Sequence, residues 1–213
     1  TGDKALIKEA FETHKKLVEE NGNQRDKNVL KLFSDFLANF TPDTANSDYR
    51  NIISQIDEYF EHPDWFVAVQ AYALKSTLEA IAVQRIDGLE SAQKALLLIP
   101  NDVDPYVHEA RIIITDAVVL MHNMLHNTDL AVENTERLIS LKMDAGQPID
   151  GIELLNNLVY SFGVAREHET SIAIAETLRR LESIHHSTTP GLTDMRLAIV
   201  YAETGDFREV EKY

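Results

Sequence analysis

Cysteine is absent from the 213 residues. Its absence excludes a disulfide framework, thiolate catalysis and any zinc site built on sulfur, and leaves both a cytosol and a periplasm open as compartments. Glycine (8 residues) and proline (6 residues) are scarce, too scarce for the frequent turns of a sandwich or barrel. Cations are outnumbered: 20 Lys and Arg face 35 Asp and Glu, for a net charge of −15. A balance of that sign repels phosphate backbones and argues against nucleic acid as a partner. No run of about 18 apolar residues occurs, so no membrane span is expected. The richest stretch, Ile112 to Leu125, is broken by Thr115, Asp116, His122 and Asn123. Single scattered glycines cannot build a phosphate-cradling loop or a dinucleotide fingerprint, and no nucleophile elbow is present.

What the chain does have is apolar residues, 44% of the total, recurring at three- and four-residue steps. That spacing predicts an all-α protein of roughly ten helices joined by short connections. The first covers 4–20, with Phe11, His14 and Leu17 on one side and Gly22 closing it. A second starts near Asp26 or Asn28 and turns Leu32, Phe33, Phe36 and Phe40 inward. Thr41-Pro42-Asp43 breaks it, because Pro42 lacks an amide and disfavours helix at Thr41. Ser47 caps a third, carrying Ile52, Ile53, Ile56, Tyr59 and Phe60. Trp65 to about Arg85 reads as a long alanine-rich helix, and Asp87-Gly88 as the start of the next. Asp104-Pro105 opens a helix that runs to about His126. Asn127-Thr128-Asp129 caps another that stops at Gly146 and Pro148. Segments 150–164, 167–186 and 192–204 complete the series, with Ile174, Leu178, Leu181 and Ile184 on one stripe of the second.

The end of the chain is the most legible part. Leu197, Ala198 and Tyr201 share a helix face, Gly205 ends that helix, and Asp206 caps the next, whose apolar side begins with Phe207 and Val210. Sliding this unit back by 39 residues aligns Leu158, Val159 and Phe162, with Arg166 in place of Gly205 and small Ser171 where the second helix must come close. Such a period suits a two-helix repeat, in which neither helix buries its face alone. The pattern LA..Y...GDF..V from Leu197 to Val210, and KALLLIPND from Lys94 to Asp102, resemble the tetratricopeptide repeat (TPR) family. The resemblance covers 150–213 best, extends loosely over 65–146 and is missing before that. It implies an α-α superhelix: one helical-repeat domain over 1–213, with an irregular helix pair at 1–40 and TPR-like repeats over 46–213. Phe40 to Ala45 is the one candidate boundary. The stretches LLNNLVYSFG and LAVENTERLISL also resemble the TPR-type sensory regions of bacterial GGDEF diguanylate cyclases, though no cyclase residues occur. That likeness favours a periplasmic location over a cytoplasmic one, while the missing initial Met and the stop at Tyr213 inside what reads as a helix suggest an excised segment of a longer protein.

Few residues suggest chemistry. His122 and His126 stand at i,i+4 in HNMLH, a spacing that can chelate zinc given a third ligand. No Glu follows the first His, however, and a helix interface for His122 with a dipole-favoured terminal position for His126 is the simpler reading. His185 and His186 are adjacent and face different ways. The carboxylates of Asp57, Glu58 and Glu61, and of Glu167 and Glu169, read as solvated faces. No catalytic residue, metal or cofactor is assigned. Stacked helix pairs leave a curved face, and on the first helix of its pair Asn156 and Asn157 offer a donor and an acceptor to a peptide backbone. Tyr160 and Arg196 are further candidates for that groove. The expected function is a non-enzymatic module for a protein, peptide or small-molecule signal. Its acidic surface favours a basic or neutral partner; homodimerisation, or a structural scaffold without a ligand, is the alternative.

Overall fold

The computed structural model describes residues 2–40, 48–101, 104–147, 154–185 and 191–212. Every regular element among them is helical, and none is long and apolar enough to cross a membrane. Contacts divide the chain into two compact units, Thr1–Ala110 and Arg111–Tyr213. The expected break at Thr41-Pro42-Asp43, the Ser47 cap, Asp102, Pro148 and His186 lie outside the described residues.

The first unit contains α1 (Gly2–Asn21), α2 (Gln24–Asn39), α3 (Tyr49–Ser54), a 3₁₀ turn (Asp57–Tyr59), α4 (Trp65–Ile81) and α5 (Arg85–Leu98). Asn23 caps α2 in a reciprocal box with Asp26, each side chain taking the other's amide. Leu32 and Phe36 of α2 meet Ile52, Ile56 and Tyr59, and then Val67, Ala71 and Leu78 of α4, in one core. The third helix is shorter than its apolar spacing predicts. After Ser54 the amides of Ile56, Tyr59 and Phe60 bond three residues back, to Ile53, Ile56 and Asp57. This tighter winding brings Ile56 and Tyr59, three apart, onto one line and buries both. The fourth helix ends at Ile81 rather than near Arg85. The fifth already starts at Arg85, so Gly88 lies inside it, buried, with its carbonyl accepting from Ser76 Oγ at 2.8 Å.

The helix α6 (Pro105–Met124) crosses from the first unit into the second, which continues with α7 (Thr128–Asp144), α8 (Leu155–Val164), α9 (His168–His185), α10 (Leu192–Thr204) and α11 (Phe207–Val210). Packing follows chain order: α8 touches α7 and α9, α9 touches α10, and α10 touches α11. Beyond that order α8 also packs on α10, and Ser161 Oγ of α8 lies 2.5 Å from Asn123 Oδ1 of α6.

One turn recurs between paired helices. At Val83, His126, Arg166 and Gly205 the backbone enters the left-handed region, with φ between 60° and 79°. The next amide, on Gln84, Asn127, Glu167 or Asp206, bonds a carbonyl five residues back, on Glu79, His122, Phe162 or Tyr201. This is the Schellman closure of a helix, and these four positions are spaced 43, 40 and 39 residues apart; Gly146 closes α7 in the same way, the Gln147 amide bonding the Lys142 carbonyl. Five residues after the turn stands a small buried residue in the second helix: Gly88, Ala131 and Ser171. Ala92, Thr135 and Ala175 follow four residues later, then Ala95, Leu138 and Leu178, all buried. Ser171 Oγ donates to Val159 O at 2.7 Å, which fixes the crossing of α9 on α8.

Candidate functional site

The repeated turn gives α6, α8 and α10 a common register. Counting back nine, six and two residues from His126 gives Ala117, Leu120 and Met124. The same steps from Arg166 give Asn157, Tyr160 and Val164, and from Gly205 they give Arg196, Ile199 and Glu203. Each set falls at i, i+3 and i+7 and so shares one helix face. The middle positions carry large apolar groups that stay open to water: Leu120 is 46% exposed, Tyr160 43% and Ile199 50%. The Val200 side chain of α10 packs on the α8 backbone at Gly163, where an added Cβ would meet Val200 Cγ2 at 3.4 Å. The resulting groove, about 50 Å³, has Val159, Val200 and Ile199 along it, Tyr160 and Arg196 at one end and Glu203 at the other.

Electrostatics single out Arg196. Its guanidinium carbon lies 5.9 Å from the centre of the Tyr160 ring, and its Nη1 is buried with no hydrogen-bond partner among the described residues. Burial pulls the guanidinium below its ordinary value, while the Tyr160 oxygen opposes that shift. Among the described residues, a cation so placed lacks the carboxylate that buried charges ordinarily have. Glu203 likewise makes no ion pair with a described residue.

Of the four residues that sequence reasoning placed in a groove, Tyr160 and Arg196 line this one. Asn157 lies on the same stripe of α8, half-buried. Asn156 is elsewhere: it is 2% exposed and wedged between helices, its Oδ1 accepting from Thr193 Oγ1 at 3.3 Å. Adjacent asparagines on a helix point about 100° apart, so the two meet different surroundings.

The histidines do not converge on a metal. Helix α6 ends at Met124 and His126 sits in the left-handed turn with φ 60°, so the i,i+4 register with His122 is lost before the second imidazole. His122 is buried, its Nδ1 3.4 Å from Asn127 Nδ2, and burial lowers its pKa. The His185 side chain lies outside the described residues, and no group of three potential ligands occurs among those described. His126 instead borders a cleft of about 530 Å³ with Arg166, His168 and Glu203.

No known family model, curated protein or solved structure matches this chain. Its own geometry therefore carries the argument.

The most elaborate polar network lies in the first unit and was not anticipated. Arg25 of α2 pairs with Asp64 at 2.8 Å and Asp104 at 2.9 Å, with its guanidinium 4.7 Å from the Tyr106 ring centre and 5.4 Å from that of Trp65. Tyr106 Oη donates to Asp26 and accepts from Asn23, each at 2.9 Å. Asp64 and Asp104 also cap α4 and α6 by accepting the amides of Phe66 and Tyr106. With each carboxylate already engaged, this network ties three helix starts together rather than awaiting a ligand.

Proposed function

We propose that the chain is a TPR-like superhelix of antiparallel helix pairs that works without catalysis. It holds a peptide or a small-molecule signal on the face shared by the first helices of its pairs, as the sensory region of a larger bacterial signalling protein of the GGDEF cyclase kind. The observation that carries this reading is the ladder of Leu120, Tyr160 and Ile199. Three large side chains stand about half exposed at the same repeat position, and an apolar stripe of that kind, where it is contiguous, is what marks an interaction surface. The missing nucleophile and phosphate-loop motifs fit a binding role, and the acidic balance favours a neutral or basic partner.

Nuclear magnetic resonance of the ¹⁵N-labelled chain, titrated with peptide and metabolite panels, tests the proposal. Ligands are expected to shift amides within 117–124, 157–164 and 196–203, and Tyr160→Ala to abolish those shifts. Hits that perturb other surfaces only, or concentration-dependent broadening without any ligand, would instead favour a scaffold that assembles by itself.

A further inference from the structure

Resting on that reading, we infer that the groove between α8 and α10 selects an extended peptide carrying an acidic side chain and a basic side chain three residues apart, with apolar residues between. Arg196 at one end is a cation that no described residue neutralises. Glu203 at the other end is an exposed carboxylate that makes no ion pair with a described residue. The two are seven residues apart on one helix, two turns, or roughly 10 Å along its axis. Ile199 lies between them on the same face, with Tyr160 and Val164 opposite on α8. A polyproline-type peptide advances roughly 3.1 Å per residue with three residues per turn, so positions i and i+3 face the same way about 9 Å apart. That repeat matches the charge spacing, whereas a β-strand turns i and i+3 to opposite sides. Asn157 holds the repeat position equivalent to Arg196, on the stripe of Tyr160 and Val164. Its amide supplies a donor and an acceptor for the peptide backbone beside the acidic residue.

Charge complementarity of this kind governs which partner fits more than how tightly it binds, so the test reads preference. Three labelled peptides, acetylated and amidated, carry the cores Glu-Leu-Pro-Arg, Glu-Leu-Pro-Glu and Arg-Leu-Pro-Arg, and binding to the full chain is followed by fluorescence anisotropy at physiological salt. Wild type is expected to prefer Glu-Leu-Pro-Arg by about tenfold over both others. Arg196→Glu should transfer the preference to Arg-Leu-Pro-Arg, and Glu203→Arg should transfer it to Glu-Leu-Pro-Glu. Arg196→Gln, which keeps the size of a polar side chain, should erase discrimination at that end alone and serves if the reversal unfolds the chain. Equal binding of all three peptides, still lost in Tyr160→Ala, overturns the charge assignment and leaves the binding face standing. Binding of none, or binding indifferent to Tyr160→Ala, overturns the inference outright.

Discussion

At the scale of single residues, the best-defined titrating group in the first unit is Glu79. It is almost fully buried in α4, accepts Ser91 Oγ at 2.7 Å and has Lys75 Nζ at 3.8 Å. Burial pushes its carboxyl up from the ordinary range, against the opposing pull of Ser91 and Lys75. The folded chain then holds this proton more tightly than the unfolded one. Stability from the group is complete below the ordinary glutamate value and falls as pH rises through the folded value. Glu79→Gln keeps a carbonyl acceptor for Ser91 and removes the titration. Its melting temperature should equal that of wild type near about pH 3.5, below the ordinary carboxyl range, exceed it as pH rises above the ordinary value, and level off once pH passes the folded value. A difference that stays constant with pH would show that burial of the charge is not what shifts this group. Such pairings are illegible in a sequence. Asp104 was legible as a helix start from the Pro105 after it, but Asp64 was not, and Arg25, which joins both, stands 39 and 79 residues away. Likewise Tyr160 and Arg196 were legible as polar or aromatic positions on a first helix, whereas the burial that leaves Arg196 unpaired depends on α8 and α10 meeting at Gly163.

At the scale of elements, the left-handed turn is the unit of construction. Gly205 announced it because glycine is the residue that tolerates positive φ. Arg166 was placed there only by its 39-residue offset from Gly205, and Val83 and His126 concealed it, since their identities do not signal that conformation. The third helix shows the opposite failure: apolar steps of three and four suit an α-helix and a 3₁₀ turn alike, and the hydrogen bonds decide. A side chain in the left-handed region costs roughly 1 kcal/mol or more relative to glycine. Gly205→Ala should therefore destabilise by about 1 kcal/mol. Arg166→Gly relieves the same strain but loosens the unfolded chain, so a smaller gain of about 0.5 kcal/mol is expected. Urea denaturation midpoints measure both. Opposite signs at these two equivalent positions are the expected outcome, and equal signs would deny that the turns are equivalent.

At the scale of the whole molecule, the described helices of the second unit touch mainly those before and after them in the chain. Stability in such packing is a sum of neighbour terms, so damage stays local. Leu178 of α9 is fully buried, and its truncation should cost about 2–5 kcal/mol. Hydrogen exchange of Leu178→Ala, followed by mass spectrometry, should then show lost protection in α8, α9 and α10. The amides of α4, whose side chains Val67, Ala71 and Leu78 belong to a separate core, should keep theirs. A closed core around one centre behaves otherwise: its amides open together, and a single cavity lowers protection everywhere by a similar factor. Loss of protection in α4 equal to that in α9 would thus identify one cooperative body. Confinement to 155–204 would identify a chain that can flex one helix pair at a time, as a ligand-responsive face on α8 and α10 requires.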